Sequence, residues 1–455
     1  MSPGAVFEGQ RGAMRKNRDS SAILQTVISG CIILIAVILI VIVGILGSIS
    51  GRSDQESEEA VEVTELDLCY PYRNAQWNSA IEQVIAAFEE EYPQIRINYE
   101  APYADSVYEN ELNKRIARGE LGDIVQLKTP KAYALSGLLG GIPEELAEEL
   151  GIESIYEAED GVIYGLGMVN CTSGIIYNKE IFEQYGLSEP ETYDEFLQIC
   201  EILQYYGVTP IGVGGDDLWH MEFWVNHFFR TDILTQDENW QVACSDGTVS
   251  WTDDEVTEMF EHLLELFRKG YVNEDWLSTT DGSLPYMMTE GEIAMVYTGA
   301  WTAEEIYALD SEIELGWFYL PDEEGNICVD EMQDTFWSIT AECEADEAKY
   351  EAALAFLEFF YEESTYTGVL SSMTAFPTTN GEYSFELTGI QEQVRDAFED
   401  NETHITGFVG DEQTPQGFEE VMLSAVQSML TGELTVEEAQ QRCQKAWEEY
   451  LEEVE

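Results

Sequence analysis

Residues Trp77–Glu100 read WNSAIEQVIAAFEEEYPQIRINYE and set two hydrophobic periods end to end. Trp77, Ile81, Val84, Ile85 and Phe88 recur on one face at helical spacing, and Pro93 ends that helix. QIRINYE then alternates apolar and polar residues as a half-buried strand does. A helix passing directly into a strand is one unit of an α/β chain.

Outward from this unit the pattern repeats. Short apolar strands are expected at DIVQL (123–127), GIIYN (174–178), PIGVG (210–214) and IAMVYTG (293–299). Helix starts are expected where a Thr is followed three residues later by a Glu, a capping-box spacing: Thr192 with Glu195, Thr252 with Glu255, Thr302 with Glu305 and Thr435 with Glu438. Strands alternating with helices imply largely parallel sheets, whose ligands sit beyond the strand carboxyl ends. At 455 residues the chain exceeds one compact domain, so two lobes are expected.

Composition removes whole classes of function. Lys+Arg 20 against Asp+Glu 90 gives a formal charge of −70, a field that repels phosphate backbones, so no nucleic-acid partner is expected. The same charge is ordinary for a solvated acidic surface. The eight cysteines, at 31, 69, 171, 200, 244, 328, 343 and 443, include no CxxC pair and no His at ligand spacing. No metal and no cofactor are therefore expected. Most of these cysteines read as small core residues, with Cys328–Cys343 the one pairing left open.

The N-terminus carries a separate signal. Ala22–Ile49 is uncharged, and its continuous apolar part from Cys31 onward has the length that a bilayer-spanning helix needs. Arg15, Lys16 and Arg18 precede it and an acidic segment follows Arg52, so residues 1–21 are expected in the cytoplasm and everything after residue 50 outside. An uncleaved transmembrane anchor at 22–49 is the first expectation. Cleavage after the small residues Ser48 and Ser50, or lipid attachment at Cys31, are the alternatives. Met14 opens a conventional basic n-region and is a second possible start. Residues 50–64 read as an acidic linker.

Several segments together carry a family resemblance. Trp77–Glu100, GDIVQL (122–127), ALSGLLGGI (134–142), DGVIYGLG (160–167) with GIIYNKEIFEQYGLSEPETYDEF (174–196), GVTPIGVGGDDLW (207–219), GEIAMVYTGAW (291–301), LPDEEG (320–325), YEAALAFLEFFYEES (350–364) and GELTVEEAQQRCQKAWEEYL (432–451) follow one another in family order. The order resembles family 1 of the extracellular solute-binding proteins, the ABC-transporter carbohydrate-binding group that includes maltose-binding protein. The resemblance implies a two-lobed α/β periplasmic-binding-protein-like fold of class II with several interlobe crossings. These are expected near Met168–Thr172, Asp330–Phe336 and Thr374–Pro377. Lobe one is then 65–170 with 336–375, and lobe two 171–335 with 376–455. The implied function is capture of a mono- or oligosaccharide by hinge closure, as a monomer that delivers to ABC permease subunits, held to the outer face of the cytoplasmic membrane through its N-terminal segment.

A sugar site needs aromatic faces for C–H groups and polar partners for hydroxyls. Trp219, which follows Asp217 after a Gly-rich strand end, and Trp301, which follows Gly299 at another, are the first candidates. Trp337 with Asp334 lies just beyond the second expected crossing, Asn170 lies at the first, and Tyr103 is the expected platform of lobe one. Trp224 stands about one helical turn beyond His220. Lys128, at the end of DIVQL, departs from the acidic or aromatic residue common in the family and is a candidate for a hydroxyl or an acidic substituent. Two other functions are weighed: a polyamine or other cation in the same cleft, held by Trp faces and carboxylates, and an anchored glycoside hydrolase, which needs two carboxylates across the scissile bond. No nucleophile elbow, HExxH, P-loop or His-centred triad is present, so no enzymatic activity is expected.

Overall fold

The computed structural model describes residues 63–454, apart from 100–104, 382, 384–386, 388, 402–403, 406–413 and 416. Residues 63–455 form one compact unit. Among the described residues no helix is long and apolar enough to cross a membrane; the expected anchor at 22–49 lies outside them.

The first half of the chain runs β1 (Thr64–Cys69), α1 (Ala75–Glu91), β2 (Ile95–Tyr99), β3 (Ile124–Leu127), β4 (Ile155–Glu157), β5 (Ile163–Cys171), β6 (Ser173–Asn178), α2 (Tyr193–Tyr205), β7 (Thr209–Gly212), α3 (Met221–Phe229) and α4 (Asp254–Arg268). The second half continues with β8 (Ile293–Gly299), α5 (Thr302–Leu309), β9 (Leu315–Phe318), β10 (Val329–Asp330), β11 (Met332–Ile339), α6 (Glu347–Phe360), α7 (Glu363–Met373), α8 (Gln391–Glu399), β12 (His404–Ile405), α9 (Phe418–Leu430) and α10 (Val436–Val454).

Two sheets define the lobes. Lobe one carries six strands in the order β2-β1-β3-β11-β5-β4, and lobe two carries four in the order β7-β8-β6-β9; β10 and β12 form a short pair. In lobe one β1 pairs in parallel with β2 and β3, whereas β11 enters from lobe two and runs antiparallel between β3 and β5. Both the exit of β5 and the entry of β11 therefore lie at the carboxyl end of β3. In lobe two β7 and β8 are parallel, and Gly299 at the end of β8 pairs with Ser173 at the start of β6. Loops that follow β1, β3, β7 and β8 are thus all directed to the edge where the chain crosses.

The helix that opened the sequence reading forms for the reasons given there. Trp77, Ile81, Val84, Ile85 and Phe88 of α1 are buried, and the Asn74 side chain caps the helix by accepting the Trp77 N–H at 2.7 Å. Of the four Thr–Glu pairs, Thr435–Glu438 makes the complete reciprocal box. Thr192 accepts the Glu195 N–H, but Glu195 turns to the Glu191 N–H. At α4 the N-cap residue is Asp253, not Thr252, and Thr302 lies inside α5 with its hydroxyl on Thr298. That leaves Glu305 available for another contact.

The first two crossings fall at Cys171–Ser173 and Asp330–Met332. Around Thr374–Pro377, where the third is expected, the chain touches both lobes. The Phe376 backbone bridges to Asn170 and the Thr378 hydroxyl donates to Gly167 O at 2.6 Å on the lobe-one side, while the Phe376 ring stacks on Phe398 at 4.0 Å and packs with Ile390 and Val394 on the lobe-two side. Beneath the two strand crossings, Arg230 and Asp330 form a wholly buried ion pair at 3.0 Å, and the Ser173 hydroxyl donates to the same carboxylate. The seven cysteines among the described residues are buried, with Cys328 and Cys343 in different lobes.

Candidate functional site

Trp219 and Trp301 occupy the loops that follow β7 and β8, at the crossing edge of lobe two, and both are half-buried. Phe223 of α3 stands between them, edge to face with Trp219 at 5.9 Å and tilted against Trp301 at 6.1 Å. Trp301 packs against the cores of both lobes. The backbone there has to be glycine, because a Cβ on Gly299 would overlap the Trp301 indole. In the loop after β7, a Cβ on Gly214 would press at 2.7 Å on the Asp281 backbone, so this loop and the Thr279–Asp281 turn lie in contact.

Polar groups pin that aromatic wall. Asp217 is half-buried and its carboxylate accepts the Asp281 N–H at 2.9 Å. Asp281 in turn holds Nδ1 of the wholly buried His220 at 2.8 Å, and the His220 N–H donates to Asp217 O at 2.9 Å. Trp219 sits between the two tethered residues. From the start of α5, Glu305 completes the group: burial, with the Asp281 carboxylate adding to it, pushes its carboxyl up to about 7 against the opposing effect of a hydrogen bond from Asn74. The Asn74 amide reaches Glu305 Oε1 at 3.4 Å from lobe one. Glu304 is also raised by burial while accepting from Gln391 at 3.1 Å and from Thr374 at 3.5 Å.

The other sequence candidates separate clearly. Trp337 is a correction: it is 0% exposed, lies in mid-sheet beside Gln126 and Leu166, and packs edge-on to Phe356 at 6.1 Å and Phe360 at 5.6 Å. Strand alternation turns it, with Ile339, onto the helix-covered face of lobe one. Trp224 is the second correction. It is 0% exposed in the lobe-two core, edge-on to Tyr297 at 5.0 Å, because α3 is buried along nearly its whole length. Asn170 is half-buried at the first crossing and donates to Glu331 at 3.4 Å. Lys128 is exposed at the carboxyl end of β3. Asp334 belongs to β11 by its backbone, its side chain lying outside the described set, as does Tyr103 altogether.

Sequence reasoning missed Phe223, His220, Asp281, Glu305 and Asn74 as members of this cluster. Asn74 had a readable signal, an N-cap three residues before Trp77. Glu305 was assigned to a capping box that does not form. Asp281 had none, since only tertiary contact brings it to His220. A groove of about 870 Å³ lies apart from the tryptophan wall, between α1 and α7, lined by Gln76, Ser79, Gln83, Glu304, Ser371 and Ser372. Among the described residues no cluster of three or more His, Cys, Asp or Glu is placed to hold a metal.

The family model described as bacterial extracellular solute-binding protein matches residues 74–366, more than half of the chain and a span that takes in both tryptophan loops. The chain belongs to that family. Among curated relatives it is 21% identical over 241 residues to the melibiose/raffinose/stachyose-binding protein MelE of Bacillus subtilis (strain 168), covering 51% of this chain and 56% of that one. It is also 21% identical over 272 residues to the multiple sugar-binding protein of Streptococcus mutans serotype c, covering 55% and 61%. The matched region thus spans less than two thirds of these relatives' length. Among solved structures, a chitin oligosaccharide binding protein superposes with a TM-score of 0.75 at 23% identity, covering 86% of this chain and all of that one. The solute-binding protein RafE in complex with raffinose superposes at 0.70 and 18%, with the same coverage. These likenesses show the two-lobed solute-binding fold.

Proposed function

We propose that this solute-binding protein captures a carbohydrate between its lobes and delivers it to the permease subunits of an ABC importer. The observation that carries the reading is the wall formed by Trp219, Phe223 and Trp301 at adjoining strand ends, with Asp217, Asp281 and Glu305 beside it. Half-buried indoles offer faces to the C–H side of a sugar ring, and the fixed carboxylates accept its hydroxyls, which would otherwise cost about 1–3 kcal/mol each if left unpaired in a closed cleft. The sugar-binding names of the relatives support the same class of ligand. Hinge closure about the crossings would bury the ligand by shifting the population toward the closed state.

We further propose that the chain acts as a binding protein without turnover, as a monomer, with residues 22–49 anchoring it to the outer face of the cytoplasmic membrane. The long uncharged run and its basic flank support the anchor. A soluble secreted form beginning near Gly51 would instead establish cleavage.

A thermal-shift screen of raffinose, chitin oligosaccharides, polyamines and amino acids tests the ligand class. A ligand at a hundred times its Kd stabilises by about 2.7 kcal/mol. Stabilisation by an oligosaccharide that is recovered intact supports the reading. Stabilisation by polyamines alone, which the carboxylates beside the indoles also favour, would replace the sugar by a cation. Hydrolysis of the sugar would replace binding by catalysis.

A further inference from the structure

Each strand crossing is a single residue long: Thr172 separates β5 from β6, and Glu331 separates β10 from β11. On the lobe-one side the two strands are ladder partners, with Cys171 opposite Met332 and Asn170 opposite Gln333. The third passage is tied to the same edge, since Phe376 and Asn170 exchange backbone hydrogen bonds at 2.7 and 2.9 Å. On the lobe-two side the strands part, β6 pairing with β8 and β9 while β10 pairs with β12. A side chain joins them there: the Asp330 carboxylate of β10 accepts the Ser173 hydroxyl of β6. That carboxylate is itself held by Arg230, directly after α3, at 3.0 Å, and both groups are at most 1% exposed. Arg230 also donates to the Tyr297 hydroxyl of β8 at 3.3 Å.

We propose that Ser173, Asp330 and Arg230 form a hinge clamp, a set of positioning residues that makes the two strand crossings turn together about Thr172 and Glu331.

A wholly buried ion pair adds little net stability over apolar residues of the same volume, but it fixes direction, because either partner left alone is costly. Here the direction is set across both crossings at once. The Thr172 pivot is seated on the same lobe: its hydroxyl shares a hydrogen bond with the Tyr319 hydroxyl, directly after β9, at 2.9 Å, and its carbonyl accepts the Ala300 N–H at 3.1 Å. The pivots are therefore cross-linked on both sides, by the ladder in lobe one and by the Asp330 carboxylate in lobe two. Without the carboxylate link each pivot bends separately and the ligand-free lobes gain twisting freedom, which closure around a ligand must then freeze. None of the three residues belongs to the tryptophan wall, so they act on affinity through the motion of the lobes. The clamp rests on the hinge-closing reading and is independent of which ligand fills the cleft.

Lobe-to-lobe distances in the full chain in detergent, without ligand, test it. Spin labels can be placed on cysteines introduced at exposed Glu144 of lobe one and Glu258 of lobe two in a Cys31→Ser background, since the described native cysteines are buried. Ser173→Ala removes the link to β6 and leaves the ion pair in place, and its distance distribution should be about twice as wide as that of the parent protein. Arg230→Met combined with Asp330→Leu removes the pair without leaving a buried charge and should broaden the distribution likewise. Thr192→Ala, which removes the N-cap of α2 and lowers stability without touching a crossing, should keep the parent width. A Ser173→Ala or double-variant distribution as narrow as the parent's, or a Thr192→Ala distribution as broad as theirs, would overturn the clamp. Because the measurement is made without ligand, failure of the sugar reading in the thermal-shift screen leaves its outcome unchanged.

Discussion

Replacing Trp301 and Trp337 by Ala, one at a time, separates the cleft wall from the core. Trp337 is wholly enclosed by Phe356, Phe360 and the lobe-one sheet, so its removal leaves a cavity that helices α6 and α7 cannot fill. A loss of about 3–5 kcal/mol is expected for such a change, a large part of a typical total of about 5–15 kcal/mol. Trp301 is only half-buried at a strand end, where it packs against the edges of both cores and against Phe223 at 6.1 Å. Its replacement should lower ligand-free stability much less, yet weaken sugar binding by about 1–3 kcal/mol, or roughly five- to 150-fold in Kd. Urea unfolding of the ligand-free proteins and calorimetric titration of the folded ones give the two numbers for each variant. The reasoning fails if Trp301→Ala is as destabilised as Trp337→Ala while its folded fraction binds the sugar normally.

Two further predictions concern charged pairs, one buried and one half-buried. Arg230→Met strands Asp330 without its cation beneath the crossings and should cost about 3–5 kcal/mol in denaturant unfolding; a loss under 1 kcal/mol would mean that the pair contributes little. His262 is bonded to Asp232 at 2.8 Å, a contact that raises its pKa above the ordinary histidine value with Glu323 adding to the effect. Its stabilising contribution is therefore complete below about 6.5 and is lost as pH rises through the elevated folded value. Asp232→Asn should flatten that part of the stability-versus-pH curve, and an unchanged curve would count against the pair.

The lobes were legible because their signals are local and periodic. Helical spacing in Trp77–Phe88 and the apolar runs at 124–127, 174–178 and 293–299 each report burial of one face or of a whole strand, and burial is what those elements have. The site was legible only in part. Gly299 before Trp301 and the Gly-rich end of β7 before Trp219 marked close backbone approach, and there the reading located two indoles at one edge of lobe two. Trp337 and Trp224 show where that reasoning stops. A tryptophan near a crossing can point along either face of its strand, and neighbouring carboxylates in the sequence do not reveal which. Asp281, His220 and Glu305 meet only through tertiary packing, and their spacing in the chain carries no trace of it.

The most direct test of the central claim is a crystal structure of the protein with an oligosaccharide that stabilises it in solution. The account predicts a sugar ring stacked within about 4 Å of the Trp301 or Trp219 face, between the lobes, with hydroxyls on Asp217, Asp281 or Glu305. Sugar bound in the groove between α1 and α7, with the tryptophan wall left in contact with solvent, would contradict it.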